Sequence, residues 1–258
     1  MKSANKTKIL MVHSYKGGTG KTAIAINLAR LIARKEGGKV LLIEQDTGGS
    51  TFTNVFKITP PSVWNDFYLS NASLKDLIVH YKHFDIICAE GKEIAIPEGE
   101  STSSFYSRHL ERFRWESKWL QKNYEYIILD TRPGYSADLI NSIVVSNVAI
   151  LVSRLDSDEV VSTIDMYNEI YAHFKGKQII LVQNQIPEPI LDSASTEQDL
   201  DVKQSATLWN DFIKDKVLIS IPLKNEIAYP LSQSKILPLN NLLMDYINQI
   251  IEIIQHKT

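Results

Sequence analysis

The chain has little cysteine, no long apolar run and no excess of charge, and each of these absences excludes a class of protein. A single cysteine, Cys88, among 258 residues excludes an intramolecular disulfide framework and a metal site built from several thiolates. No apolar run reaches the about 18 residues that a membrane-spanning helix needs. The 28 basic and 30 acidic residues nearly balance, so contact with nucleic acid requires a local patch. We expect a soluble cytoplasmic protein in which Cys88 is a buried, inert thiol.

Short apolar runs alternate with stretches of helical spacing along most of the chain. Seven runs are typical of strands buried on both faces: 9–13, 40–44, 84–88, 126–130, 148–152, 179–183 and 217–221. Helical spacing occurs at 22–36, 107–122 and 158–174. The alternation predicts an α/β fold, a largely parallel twisted sheet of about seven or eight strands flanked by helices, with ligands at the carboxyl ends of the strands.

Length and composition predict a single domain over residues 1–258, without a separate N-terminal DNA-binding domain. A C-terminal helix is expected at 237–255, packed on the domain. Polar, glycine- and proline-containing stretches predict loops at 47–54, 96–104 and 187–201.

The segment YKGGTGKT, residues 15–22, nearly fits the phosphate-binding pattern G-x-x-x-x-G-K-[ST]. A strand pattern precedes it and a helix pattern follows it, which is the context that such a loop requires. Its glycines allow backbone N–H groups to surround phosphate oxygens, Lys21 would neutralise the β- and γ-phosphates, and the Thr22 hydroxyl would ligate Mg²⁺. The expected nucleotide-binding residues are Gly17, Gly18, Thr19, Gly20, Lys21, Thr22 and Ala23.

A second lysine, Lys16, stands at the start of this loop, from which it cannot easily reach the same phosphate. The segment resembles the deviant phosphate-loop ATPases of the ParA/MinD family, whose signature is K-G-G-x-x-G-K-[ST]. The resemblance implies that Lys16 reaches across a face-to-face dimer onto the partner's phosphates. The alternative is a solvated lysine beside a turn.

The segment LLIEQDTGGST follows the second strand pattern, where the family usually shows D-x-D-P-x-G. Glu44 stands in place of the first aspartate and Thr47 in place of the proline. The resemblance implies that Asp46 positions the attacking water close to Mg²⁺, so that Lys16, Lys21 and Asp46 are the expected catalytic residues. An aspartate that only caps a glycine turn remains the alternative.

The segment YIILDTRPG resembles the family's D-x-x-P-G motif, with Arg132 where the family often has proline. The resemblance implies that Asp130 holds a water of the Mg²⁺ shell, which makes Thr22, Asp46 and Asp130 the metal-site residues. It also implies adenine contacts at Asn184 and after Pro222, although both residues equally suit turns.

Family resemblance implies an ATP- and Mg²⁺-dependent ATPase that forms a homodimer with ATP, hydrolyses it slowly under stimulation by a partner protein, and positions DNA or another cargo. A nucleotide-sensing adaptor that scarcely hydrolyses ATP, and a MinD-like membrane-positioning ATPase, are the alternatives. Bacterial tyrosine kinases share this loop but carry a tyrosine-rich tail, whereas residues 246–258 here contain one tyrosine, Tyr246.

Two segments bear on which surface the protein binds. The helix pattern at 107–122 could contact nucleoid DNA non-specifically through Arg108, Arg112, Arg114, Lys118 and Lys122. The favoured interpretation is an ordinary solvated face with Trp115 and Trp119 in the core. The tail has only Lys257 against two acids, so we expect its isoleucines to pack on the sheet and membrane binding to be unlikely.

Overall fold

Eight strands form one sheet in the computed structural model, which describes residues 7–36, 39–186, 207–214, 216–227, 236, 238 and 241–256. The strands are β1 (Lys8–His13), β2 (Val40–Glu44), β3 (Val79–Tyr81), β4 (Phe84–Ile87), β5 (Tyr126–Asp130), β6 (Val148–Ser153), β7 (Gln178–Ile186) and β8 (Val217–Pro222). The helices are α1 (Lys21–Glu36), α2 (Thr51–Phe56), α3 (Trp64–Tyr68), α4 (Thr102–Asn123), α5 (Ala137–Val145), α6 (Ser157–Glu169) and a C-terminal helix (Leu243–His256). A 3₁₀ turn (Tyr171–His173) follows α6, and residues 207–213 are also helical.

The strand order is β3-β4-β2-β5-β1-β6-β7-β8, and all neighbours are parallel except β3 with β4. The predicted α/β fold with a largely parallel sheet is confirmed. Because β1 lies between β5 and β6, the loop after β1 emerges at the middle of the carboxyl edge. The loops after β2 and β5 emerge beside it.

The sheet is covered on both faces, which explains why its central strands consist of uninterrupted apolar residues. Leu10 and Val12 of β1 face a core that also contains α1 and the C-terminal helix. Ile9 and Met11 face the opposite core, which contains α3, α4, α5 and α6. Cys88 is fully buried, and burial raises the pKa of its thiol to about 12, as expected for an inert cysteine.

The structure corrects the sequence-based boundaries in four places. Strand β3 was not predicted, because three residues carry too little periodicity to recognise. Helices α2 and α4 begin inside the predicted loops 47–54 and 96–104; the Ser101 hydroxyl accepts the N–H of Ser104 and caps α4. The predicted helix 158–174 ends at Glu169 and continues as the 3₁₀ turn. The predicted loop 187–201 lies outside the described residues.

The C-terminal helix is amphipathic and turns its apolar side onto the sheet and α1. Its buried side chains are Leu243, Met244, Ile247, Ile250, Ile251 and Ile254. Lys8 Nζ donates to the carbonyl of Ile254 at 2.6 Å, and Lys35 Nζ donates to Asn248 Oδ1 at 2.6 Å. The helix begins at Leu243 and not at the predicted residue 237, and its isoleucines pack on the domain.

Among the described residues, none of the helices combines the length and the apolar character that crossing a bilayer requires.

Candidate functional site

Lys21 lies between two carboxylates at the middle of the carboxyl edge of the sheet. It is the first residue of α1, and its Nζ is 3.3 Å from Asp46 Oδ2 and 3.8 Å from Asp130 Oδ1. Asp46 follows β2 and Asp130 ends β5, so two neighbouring strands bring the carboxylates to the loop after β1. The three residues that sequence analysis placed at one site are therefore adjacent.

Asp130 is completely buried and has an acceptor atom without a hydrogen bond. Burial raises the pKa of its carboxyl group, while the Lys21 ammonium and a hydrogen bond from the Thr22 side chain oppose that rise. Within the described part of the chain, Asp130 Oδ1 and the buried Thr19 hydroxyl have no hydrogen-bond partner. Buried polar groups are normally paired, so these two atoms indicate a place built for an additional donor or cation.

The phosphate loop requires glycine at two positions, one of which is also sterically crowded. Gly18 and Gly20 both have positive φ, +79° and +92°. A Cβ on Gly20 would also collide with the side-chain amide of Asn184. This backbone path, followed directly by the N-terminus of α1, is the arrangement that directs N–H groups towards an anion.

Asn184 contacts the loop itself. Its Nδ2 donates to the carbonyl of Thr19 at 2.7 Å, and Gln185 Nε2 donates to the carbonyl of Gly18 at 3.1 Å. The family resemblance assigns Asn184 to adenine and gives no role to Gln185, which has a positive φ of 57°. Pro222, the other residue assigned to the adenine region, is the last residue of β8, where its backbone pairs with Ile186.

Lys16 pairs with a carboxylate of its own chain. Its Nζ is 3.6 Å from Asp156 Oδ1, and Asp156 Oδ2 is 3.5 Å from Arg154. Asp156 also caps α6 by accepting the N–H of Glu159 at 3.0 Å. Lys16 is 37% exposed in this pair.

Glu44 has a structural role that accounts for one departure from the family pattern. Its buried carboxylate accepts the N–H groups of Thr51 and Phe52, at the start of α2, and that of Ala89 after β4. Burial raises the pKa of Glu44 to about 8, although the three hydrogen bonds oppose the rise. Glu44, at the start of the loop that carries Asp46, thus ties the far end of that loop to the residue that follows β4.

The structure also shows where the two other residues that depart from the family pattern lie. Thr47 is buried, and Arg132 forms a 2.7 Å ion pair with Glu93 at the surface.

A hydrogen-bonded link joins the start of the phosphate loop to the loop after β5, and the sequence did not predict it. His13, buried at the end of β1, lies with its Nε2 3.1 Å from the carbonyl of Gly134 and its Nδ1 2.9 Å from the Tyr171 hydroxyl. The N–H of Gly134 donates to the carbonyl of Ser14 at 2.9 Å. Burial lowers the pKa of His13 to about 3, so the ring is neutral. The only signal in the sequence was one polar residue at the end of an apolar strand.

The basic residues of α4 are not equivalent. Arg108 is paired with Glu100 at 2.8 Å. Arg112 donates to the carbonyls of Phe67 and Ala72, both at 2.6 Å, and pairs with Glu116. Arg112 therefore ties α3 to α4, and its assignment as a DNA contact is corrected.

Arg114, Lys118 and Lys122 are exposed. Trp115 is 71% exposed, whereas Trp119 is partly buried. The expectation that both tryptophans lie in the core is wrong for Trp115.

Comparison with known proteins identifies a matching family and several similar proteins. The family model described as an AAA domain matches residues 7–180. The tyrosine-protein kinase CpsD of Streptococcus agalactiae is 30% identical over 51% of this chain and 55% of its own length. The sporulation initiation inhibitor protein Soj of Bacillus subtilis is 28% identical over 56% of this chain and 57% of its own length. The chain thus matches little more than half of the length of these curated relatives.

A solved structure extends the similarity to the whole fold. Apo McdA from Cyanothece superposes with a TM-score of 0.76 at 18% identity, covering 96% of this chain and 99% of that one. A variant of McdA solved with ATP superposes with a TM-score of 0.74 at 16% identity, and 98% of each chain is covered.

Proposed function

Because the chain belongs to the ParA/MinD family of P-loop ATPases, we propose that it binds Mg²⁺-ATP, forms an ATP-dependent sandwich dimer and hydrolyses ATP slowly to position DNA or another cellular cargo. The observation that carries the proposal is the position of Lys21, held between the carboxylates of Asp46 and Asp130 at the start of α1. A cation, a glycine loop and two strand-end carboxylates converge there, as phosphoryl transfer to water requires.

The residues of the site fit ATP and Mg²⁺. Backbone N–H groups of residues 17–23 and the Lys21 ammonium would hold the phosphates. The Thr22 hydroxyl would ligate Mg²⁺ directly. Asp130 Oδ1, which accepts no hydrogen bond from the described residues, would hold a water bound to the metal. When bound, ATP supplies the transferable phosphoryl group and Mg²⁺ offsets its charge. The McdA variant that was solved with ATP shares this fold, which supports ATP as the ligand of this chain.

Asp46 is the residue that would orient the attacking water and accept its proton. It is the more exposed of the two carboxylates, 24% against 1% for Asp130, so water reaches it more readily. The Gly48 N–H donates to Asp46 Oδ1 at 3.2 Å and fixes the direction of its carboxylate. Asp130, by contrast, is buried, and it would hold a water bound to Mg²⁺ and not exchange protons with solvent.

The alternative of an adaptor that binds ATP without hydrolysing it rested on the departures at Glu44, Thr47 and Arg132. Glu44 is used to fix the Asp46 loop, and Arg132 lies in a surface ion pair, so these two departures do not remove a group from the site. We therefore favour hydrolysis. The buried isoleucines of the C-terminal helix disfavour a MinD-like role at membranes.

Non-specific contact with DNA remains part of the proposal, through the exposed Arg114, Lys118 and Lys122, with Arg108 available if its surface pair with Glu100 opens. This role would associate the cytoplasmic protein with nucleoid DNA. A partner protein that stimulates hydrolysis completes the proposed cycle.

Steady-state ATPase assays of the unmodified chain and of Lys21→Ala, each with and without DNA, test the proposal. We expect slow, Mg²⁺-dependent hydrolysis that Lys21→Ala abolishes together with ATP affinity, because the loop loses its counter-charge. Lys57→Ala, which removes an exposed lysine elsewhere, is the matched control. Unchanged ATP affinity in Lys21→Ala would refute the site. Near-zero hydrolysis under all conditions favours the adaptor, and phosphotyrosine on the incubated chain favours a kinase like CpsD.

A further inference from the structure

A surface of exposed lysines, the exposed Trp115 and the partly buried Trp119 lies on the C-terminal half of α4 and the neighbouring β3–β4 hairpin. We call it the basic-aromatic surface and define it by Lys39, Lys75, Lys82, Trp115, Lys118 and Trp119. Trp115 is 71% exposed, which is unusual for the largest apolar side chain. Tryptophan is enriched at binding interfaces, where one side of the ring is apolar and the other is wet.

Two of the lysines lie over the two indole rings. Lys118 Nζ is 4.6 Å from the centre of the Trp115 ring, and Lys75 Nζ is 4.6 Å from that of Trp119. Trp115 and Trp119 are four residues apart, so both rings lie along one side of α4. The surface therefore presents two ammonium–indole pairs in a row.

A groove of about 460 Å³ continues this row past Trp119. Lys39 and Lys82 line it together with His80 and His83. Its one carboxylate, Asp85, is already engaged by His80 Nδ1 at 2.6 Å and by the Tyr124 hydroxyl at 2.5 Å.

Positive charge therefore dominates the basic-aromatic surface. None of its four lysines forms an ion pair with the residues that the structure describes. The nearby acids Asp76 and Glu116 are occupied, by the backbone and hydroxyl of Ser73 and by Arg112 respectively. Glu111 and Glu125 remain as exposed acids near the two ends of the helix segment. The four lysines without an ion pair outnumber these two acids.

We propose that the basic-aromatic surface binds a nucleic-acid strand with unpaired bases, the bases stacking on Trp115 and Trp119 and the phosphates pairing with the lysines. Each nucleotide of such a strand carries one phosphate anion and one flat aromatic base. This repeat matches the alternating ammonium and indole groups of the surface. In an intact duplex the bases already stack on each other, so an indole at the surface would find no free base face. Single-stranded DNA and RNA share the required chemistry.

This inference goes beyond the proposed function and does not depend on the nucleotide site, although Lys118 also belongs to the proposed contact with duplex DNA. Lys39 precedes β2 and the groove adjoins the amino ends of the strands, whereas the proposed nucleotide site lies at their carboxyl ends. Binding to the surface should therefore persist without ATP and in Lys21→Ala. Failure of one proposal thus leaves the other open to its own test.

Fluorescence anisotropy of labelled 15-nucleotide oligo-dT and oligo-rU, titrated with the full chain, tests the inference. We expect Trp115→Ala to weaken binding by about tenfold or more, in line with the loss of one stacked base. Trp115→Phe should keep most of the affinity, because it keeps a ring. Lys118→Gln should weaken binding and reduce the salt dependence by about one phosphate contact, whereas Lys175→Gln, at an exposed lysine outside the surface, should change neither.

Three results would contradict the binding of a single strand at this surface. The inference is overturned if neither oligonucleotide binds, or if Trp115→Ala binds as tightly as the unmodified chain. It is also overturned if unlabelled duplex DNA or heparin competes as well as the single strand, because the contact would then be purely electrostatic. Unchanged thermal unfolding of Trp115→Ala verifies that lost binding is not lost folding.

Discussion

The ammonium of Lys16 lies 3.6 Å from the carboxylate of Asp156 in the same chain. Lys16 opens the phosphate loop, and Asp156 caps α6, so the pair joins two elements of the carboxyl edge. In the proposed dimer the same ammonium serves the partner's phosphates, and the intrachain pair competes with that contact. Both side chains are more than one third exposed, at 37% and 41%, so the pair is worth only ~0.2–1 kcal/mol.

Lys16→Ala is expected to leave ATP affinity unchanged and to abolish ATP-dependent dimerisation, measured by sedimentation velocity with and without ATP. The reason is that Lys21, not Lys16, lies among the groups of its own site. Asp156→Asn is the matched variant, since asparagine caps a helix as well as aspartate but cannot hold the lysine. Asp156→Asn should raise the association constant of the ATP-dependent dimer by about twofold to fivefold, which is the equivalent of one exposed ion pair. A normal ATP-induced shift in Lys16→Ala would contradict the cross-dimer role.

Asp46→Ala is expected to reduce hydrolysis by about 100-fold or more while leaving a long-lived ATP dimer, because the water loses its general base. Lys21 retains Asp130 at 3.8 Å, so the loop keeps a counter-ion before nucleotide arrives. Single-turnover hydrolysis and gel filtration with ATP measure the two effects. Asp76→Asn, which alters an exposed carboxylate far along the chain, controls for loss of charge. Undiminished hydrolysis in Asp46→Ala would remove this residue from the mechanism.

Much of this site could be predicted because its residues are contiguous or follow recognisable strands. Gly17 to Thr22 form one segment, and Asp46 and Asp130 each follow an apolar run, so topology alone brings them together. Lys16 was recognised by resemblance, but its partner Asp156 was not, because the ion pair joins residues far apart in the chain.

The parts that escaped prediction depend on distant or single contacts. Glu44 binds the backbone of Ala89, and His13 binds that of Gly134; neither pairing leaves a pattern in the sequence. Helical periodicity also placed Trp115 and Trp119 together on one face. It could not show that the Trp115 ring is exposed while that of Trp119 is partly buried.

Glu44 is expected to make the protein less stable as pH rises from about 4.5 to about 8. Its folded-state pKa of about 8 exceeds the ordinary 4.5, so the folded state retains a proton that the unfolded state releases in this range. The free energy of unfolding should then fall by up to ~1.4 kcal/mol per pH unit. Urea denaturation at several pH values, compared between the unmodified chain and Glu44→Gln, isolates this contribution. Parallel pH profiles for the two proteins would contradict it.

Ile250→Ala is expected to lower the free energy of unfolding by about 2–5 kcal/mol, because it opens a cavity beneath the C-terminal helix. Ile250 is fully buried in the core shared with α1, whereas Glu252 on the same helix is exposed, so Glu252→Ala is the matched control. Truncation after Leu242 should destabilise the fold further, since it removes every buried isoleucine of this helix at once. Chemical denaturation measures both effects, and sedimentation with anionic vesicles tests the rival role of the helix. If Ile250→Ala kept full stability but lost vesicle binding, the helix would be a membrane anchor and the MinD-like alternative would replace the one proposed.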